Sequence, residues 1–303
     1  MRKPVQRRYS MHSTYQAKLL CEGFVFPESP RWHRGHFYCN SIDEGTIFKI
    51  HEDGSKEVMV KIDDWLSGWA FTDPDSDDIV LTSALQRKVL VWDGKNLDEF
   101  TDLSEFSKFA INDLIRTHNG AVFVDVVDFE FGKVAPEDMP MNPIVRVSPD
   151  GQACIATNVT GFPNGMVVSP DGNRLIVADS TLCCLHEFDL DGIGELSNHR
   201  LFASTPGFML DGITQDRDGG IWVAAGHKGV FRVVEGGEVT DKVDIGETGA
   251  TACMLGGHDG RTLLITASDS HDRNIIRDNP SGRLYTARVD VPGAGLPSWY
   301  DKD

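Results

Sequence analysis

The chain has 303 residues, with 29 basic against 46 acidic side chains, a formal net charge of −17 and a calculated pI near 4.9. Such a surface repels phosphate backbones and anionic lipid, which argues against nucleic-acid and membrane partners and favours a cation or a neutral small molecule. Six scattered cysteines without a C-x-x-C pair, and no 18-residue apolar run, lead us to expect a soluble protein of a reducing compartment, hence a cytoplasmic one.

In chain order, residues 1–15 are polar and aperiodic and are expected to form a flexible arm. Strand patterns then begin. Blade one is read in SPRWH, HFYCNS, GTIFKIHE and KEVMVKI, and blade two in GWAF, DIVLTSA, KVLVWDG and DEFTDL. Blade three is DLIRT, AVFVDVV, PIVRVSPDG and ACIATNV; blade four is GMVVS, RLIVADS, CLHEFDL and HRLFA; blade five is GITQD, IWVAAG, GVFRVVE and VTDKVDI. Each first pair is a hairpin closed by a turn such as Asp171-Gly172, whose glycine supplies the positive φ. Blade six offers only TACMLG, TLLITAS and GRLYTARVDV, so Tyr15–Leu20 is expected to supply the missing strand and close the ring. A period of roughly 40 to 50 residues with four strands per repeat predicts an all-β, six-bladed β-propeller over 16–295, with 296–303 as a C-terminal tail. Two long connections, Asp128–Pro143 and Asp269–Ser281, are placed to cover a binding site.

Aligning the repeats by their turns puts Glu28, Ser67, Asn112, Asn164, Asp211 and Ala252 at one equivalent place, just before each innermost strand. In a propeller these positions converge on the axis. Asn-Gly and Asp-Gly pairs usually mark turns, but each repeat already carries its own turn further on, so turn chemistry does not explain matched oxygens. Glu28, Asn112, Asn164 and Asp211 are therefore read as ligands of one divalent cation. Hard oxygen donors suit Ca²⁺ first, with Mg²⁺, Mn²⁺ or Zn²⁺ as alternatives. His227, after the second strand of blade five, is a candidate substrate contact. Asp179, at the end of VADS, either lines the pocket or binds backbone.

The set ESPRW at Glu28, IND at Asn112, FPNGMVVSPDGNRLIVADS around Asn164, LDGITQDRDGGIWVA at Asp211 and ATACMLGGHDGRTL in blade six resembles the senescence marker protein/gluconolactonase/luciferin-regenerating enzyme family over about residues 17–295. The resemblance implies a metal on the axis and lactone hydrolysis. It places the family's metal-binding Glu, Asn and Asp on Glu28, Asn164 and Asp211, with Asp211 also the general base. It puts a further Asn, contacting metal or substrate, on Asn112, and a substrate-binding acid on Glu130 or Asp128. Ala110 departs from it: sugar-lactone hydrolases of this kind carry an Arg there, and without that guanidinium a polyhydroxylated lactone loses a fork of donors. The function expected is metal-dependent opening of a small-molecule lactone. Alternatives are phosphotriester or other ester hydrolysis at the same cation, or a non-catalytic propeller that binds protein.

Overall fold

The computed structural model describes residues 12–130, 133–135 and 138–298, and its strands form six antiparallel blades around one axis. The innermost strands are Pro27–His33, Trp69–Phe71, Ala110–Arg116, Pro163–Val168, Ile213–Gln215 and Gly249–Gly256. Each lies beside the innermost strand of the next blade, and Gly249–Gly256 returns to Pro27–His33, which closes the ring. Turn chemistry sets the hairpins: Asp171 accepts from Ser169 Oγ at 2.5 Å and from Asn173 N at 3.2 Å, while Gly172 sits at φ 74°.

Apolar residues alternate along the strands and meet their counterparts from the next blade. Ala70, Val80 and Val89 of blade two thus share a core with Ile111, Leu114 and Val122 of blade three. Trp69 and Trp222 are fully buried in the equivalent seams. The core is distributed between the blades, and the axis is left for polar groups.

The fourth strand of blade six does come from the N-terminal region, but it is Lys18–Phe24, antiparallel to Gly282–Arg288. The Tyr15–Leu20 segment expected from sequence is split. Ser13–Gln16 runs parallel to Val239–Asp244 as a fifth strand on blade five, and the chain then steps across at Ala17. Tyr15 anchors this strand through its hydroxyl to Asp290 Oδ2 at 3.0 Å. Both segments show a solvent-exposed face at a sheet edge, so their apolar alternation is too shallow to reveal two strands in place of one. Residues 13–15, expected in the flexible arm, are therefore strand; residues 1–11 lie outside the described residues.

After blade six the chain crosses the far end of the axis. Gly293 pairs with Asp216, Leu296 with Val168, and Ser298 Oγ accepts from Trp32 N at 3.0 Å. The segment expected as a tail from residue 296 thus begins as a buried plug, while residues 299–303 lie outside the described residues. All six cysteines are free. Among the described residues, no helix is long and apolar enough to cross a membrane.

Glycines set how closely the blades approach. A Cβ on Gly68 would meet Leu114 N at 2.4 Å, one on Gly165 would meet Ile213 N at 2.6 Å, and one on Gly212 would meet the Ala252 Cβ at 2.3 Å. Each glycine follows an axial position, so Asn164-Gly165 and Asp211-Gly212 mark close inter-blade contact. We expect Gly212→Ala to cost about 1–3 kcal/mol through overpacking. The check is a lower urea midpoint at unchanged m-value; an unchanged midpoint would mean that the seam has slack.

Candidate active site

Glu28, Ser67, Asn112, Asn164 and Asp211 all line one cavity of about 740 Å³ at the starts of the innermost strands. Ala252, the sixth equivalent position, is buried and is not among the lining residues. The convergence has a local cause. Pairing register shifts between Glu28 and Arg31, Ile111 and Leu114, Pro163 and Met166, and Ala250 and Ala252, so these strands bulge where they reach the axis. A bulge re-aims one side chain without ending the sheet. In blade one the bulge includes Ser29 at φ 41°, whose Oγ donates to Ser67 O at 2.8 Å and Asp113 Oδ1 at 3.2 Å.

Glu28 and Asp211, two of the carboxyls that line this cavity, stand under electrostatic stress. Burial raises Glu28 well above the usual carboxylate range, and the charge of Asp211 adds to it; the Ser29 N–H, 2.6 Å from Glu28 Oε2, works the other way. Asp211 is pushed up to about 7 by burial and then by the charge of Asp113, against hydrogen bonds from Asn164 and the Gly212 N–H. Asn112 is held from behind: its Nδ2 donates to the buried Asp125 Oδ2 at 3.1 Å, which leaves the amide oxygen for the cavity. Asp125 was not singled out from sequence, because its role depends on strand pairing.

Asp179 binds backbone. Its carboxylate accepts from Gly161 N at 2.6 Å, Phe162 N at 3.3 Å, Thr181 N at 3.1 Å and Leu182 N at 2.8 Å, and meets His186 Nε2 at 3.2 Å. It fixes the loop that delivers Asn164. Burial pushes its pKa upward, but these hydrogen bonds outweigh that and hold it below the usual value. Asp179→Ala leaves several buried N–H groups without a partner and is expected to cost about 3 kcal/mol or more. A depressed carboxyl contributes stability that is present above the unfolded-state pKa and lost as pH falls through the folded value. The gap between wild type and Asp179→Ala in urea titrations should therefore narrow on acidification; a gap independent of pH would mean that the carboxylate's charge is not what matters.

Both long connections reach the cavity. The first contributes Lys133, Val134 and Met139; the second contributes His271, Asp272, Arg273 and Asn274 and contains the one helix among the described residues, Arg273–Asp278, capped by Asp272. Arg273 Nη1 bonds Asp43 Oδ2 and Arg277 Nε bonds Asp43 Oδ1 at 3.0 Å, with the Arg273 guanidinium 4.6 Å from the Phe26 ring centroid. Loop length pointed to these segments but not to their individual residues.

Three candidates lie elsewhere. Asp128 Oδ1 accepts from Lys108 N at 3.2 Å, Glu130 pairs with Lys133 at 2.5 Å, and exposed His227 places Nδ1 2.9 Å from Glu247 O. None is among the cavity-lining residues, although Gly226, beside His227, is. Asp128 and His227 are held by backbone groups of neighbouring loops, and Glu130 is held by Lys133 of its own loop, which does line the cavity.

The donors that do converge fit a hard divalent cation, because they are oxygen-only, two carboxyls and two amides, and positive charge would relieve the stress on Glu28 and Asp211. Among the described residues, no group of three or more His, Cys, Asp or Glu is placed to hold a metal, so any cation here needs the amide oxygens.

The chain is 30% identical over 168 residues to 6-deoxy-6-sulfogluconolactonase of Pseudomonas putida, covering 54% of this chain and 58% of that protein. It is 31% identical over 139 residues to L-arabinolactonase of Azospirillum brasilense, covering 45% and 46%. The chain thus spans about half the length of the curated relatives it matches. In fold it is similar to regucalcin from Agrobacterium tumefaciens, described as a calcium-binding protein, at 20% identity and a TM-score of 0.77, covering 96% of this chain and 100% of that one. The family described as SMP-30/Gluconolactonase/LRE-like region matches residues 26–269, and with most of its length so matched the chain belongs to that family.

Proposed function

We propose that this protein is a divalent-metal-dependent hydrolase that opens a lactone, with Glu28, Asn112, Asn164 and Asp211 holding the cation. The observation that carries the reading is the convergence of these four oxygen donors on one cavity, two of them carboxyls whose proton affinity is raised by burial and by neighbouring carboxyl charge, that of Asp211 on Glu28 and that of Asp113 on Asp211. The lactonase names of the curated relatives support the substrate class. Ca²⁺ is the first choice of ion and Mg²⁺ or Mn²⁺ the next; Zn²⁺ comes last, since the four donors are all oxygens.

A bound divalent cation supplies Lewis-acid polarisation of the ester carbonyl. The protein's own groups do the rest. Asn112, fixed by Asp125, presents its oxygen without reorganisation on binding. Asp211 takes the proton from the attacking water as the new C–O bond forms; when the ring C–O bond breaks, that proton returns to the departing ring oxygen. Asp128, Glu130 and His227 have no part in this scheme, because local partners hold them outside the cavity lining.

The test is to strip the protein with chelator and assay sugar, aliphatic and aromatic lactones before and after adding back each ion. Turnover that is lost on stripping and restored by Ca²⁺, Mg²⁺ or Mn²⁺ is the expected result. A folded protein inactive on every lactone with every ion would overturn the reading and direct assays to phosphotriesters.

A further inference from the structure

We infer that the cavity selects lactones bearing an apolar ring substituent, alkyl or aryl, over polyhydroxylated ones; this specificity rests on the lactonase reading above. Ala110 is only 3% exposed and lies in one apolar cluster with Val127, Phe129 and Phe162, joined by Val134 and Met139. The rings of Phe129 and Phe162 meet edge to face at 5.3 Å. Phe162, Val134 and Met139 go on to line the cavity itself. An aromatic and aliphatic wall thus fills the region around Ala110.

A second stretch of the cavity wall has the same character. Phe26 and Ile42, backed by the buried Ile276 of the helix, form a second apolar surface. Met209 lines the cavity with 51% of its surface exposed, a large apolar side chain left for something else to cover. Of the charged groups on the walls, Arg273 is held by Asp43, Lys133 forms an exposed pair with Glu130, and Asp272 caps the helix through Asn274 N at 2.9 Å, which leaves the His271 and Asn274 side chains as the polar groups beside them. A sugar lactone would have to bury several hydroxyls against this surface, and a hydroxyl taken from water without a partner is penalised. An alkyl or aryl substituent loses nothing there and covers Met209.

The experiment uses the metal-loaded full chain and measures kcat/KM for γ-lactones with hydrogen, butyl, hexyl or phenyl substituents and for an aldonolactone. Each added methylene is expected to raise kcat/KM by about fourfold until the chain leaves the cavity. The aldonolactone is expected to fall at least about 100-fold below the hexyl compound. Met209→Ser, a change at an exposed position, should lower the hexyl-to-unsubstituted ratio by about tenfold. An aldonolactone that equals or exceeds the hexyl lactone, or a ratio untouched by Met209→Ser, overturns the inference. Calorimetry with non-hydrolysable lactams separates the two readings: tighter binding of the hexyl lactam than of a polyhydroxylated one, without lactone turnover, keeps this specificity and rejects the reaction, whereas equal or weaker binding rejects the specificity.

Discussion

Asp211→Asn is expected to lower kcat for lactone opening by about 10²–10⁴-fold, the contribution of a well-placed general base, while leaving the propeller folded. Asparagine has nearly the same shape, keeps an oxygen toward the cavity and does not disturb the close approach of Gly212 to Ala252. What it removes is proton affinity. Burial and the neighbouring Asp113 charge bring the Asp211 carboxyl to about 7 in the metal-free protein, and a bound cation would draw it lower, but the carboxylate would still accept a proton, which a neutral amide cannot. The loss should therefore appear in kcat, with KM changed far less, and the variant should still show a calorimetric signal for the ion. A kcat within threefold of wild type would remove Asp211 from the proton-transfer role, and loss of both ion binding and turnover would assign it to the metal alone.

The architecture was legible because each level of the sequence repeats it. Turn glycines, strand alternation and the spacing of Glu28, Asn112, Asn164 and Asp211 all follow one period, and a ring fold brings equivalent positions together. Less was legible where structure depends on contacts between repeats. The bulges that tip these side chains to the axis, and Asp125 behind Asn112, arise from pairing between strands and leave no local pattern. The cavity walls come from separate loops, so Arg273 and Met209 could not be placed by periodicity. Asp128, Glu130 and His227 show the converse: a place in a site-covering loop, or just after the second strand of a blade, did not bring them into the cavity lining, and Lys108, Lys133 and Glu247 engage them instead. The N-terminal strand was expected in the right blade but with the wrong ends, since a chain that edges two neighbouring sheets has no burial contrast to mark where it crosses.

Glu28→Gln tests the cation site through stability as well as activity. We expect it to weaken divalent-ion binding by at least about 100-fold, since even outer-shell changes cost 10–100-fold and this one removes a charged donor. Its effect on the metal-free protein should have the opposite sign. Glu28 and Asp211 both have folded-state pKa values raised by burial and by charge on neighbouring carboxyls, so between the unfolded and folded values the native state holds more protons than the unfolded one. Stability of the metal-free wild type then falls as pH rises, for Asp211 across the interval from its ordinary value to about 7. Removing the Glu28 charge relieves that burden, so metal-free Glu28→Gln should melt above metal-free wild type at pH 8, and the difference should shrink near pH 4, where both carboxyls are protonated. Calcium should raise the wild-type melting temperature more at pH 8 than at pH 5, because the ion and the protons compete for the same oxygens. In the variant that gain should be small at both. A variant that is destabilised equally at every pH and keeps the full calcium response would show that Glu28 is a packing residue, and the cation would then have to be sought away from the axis.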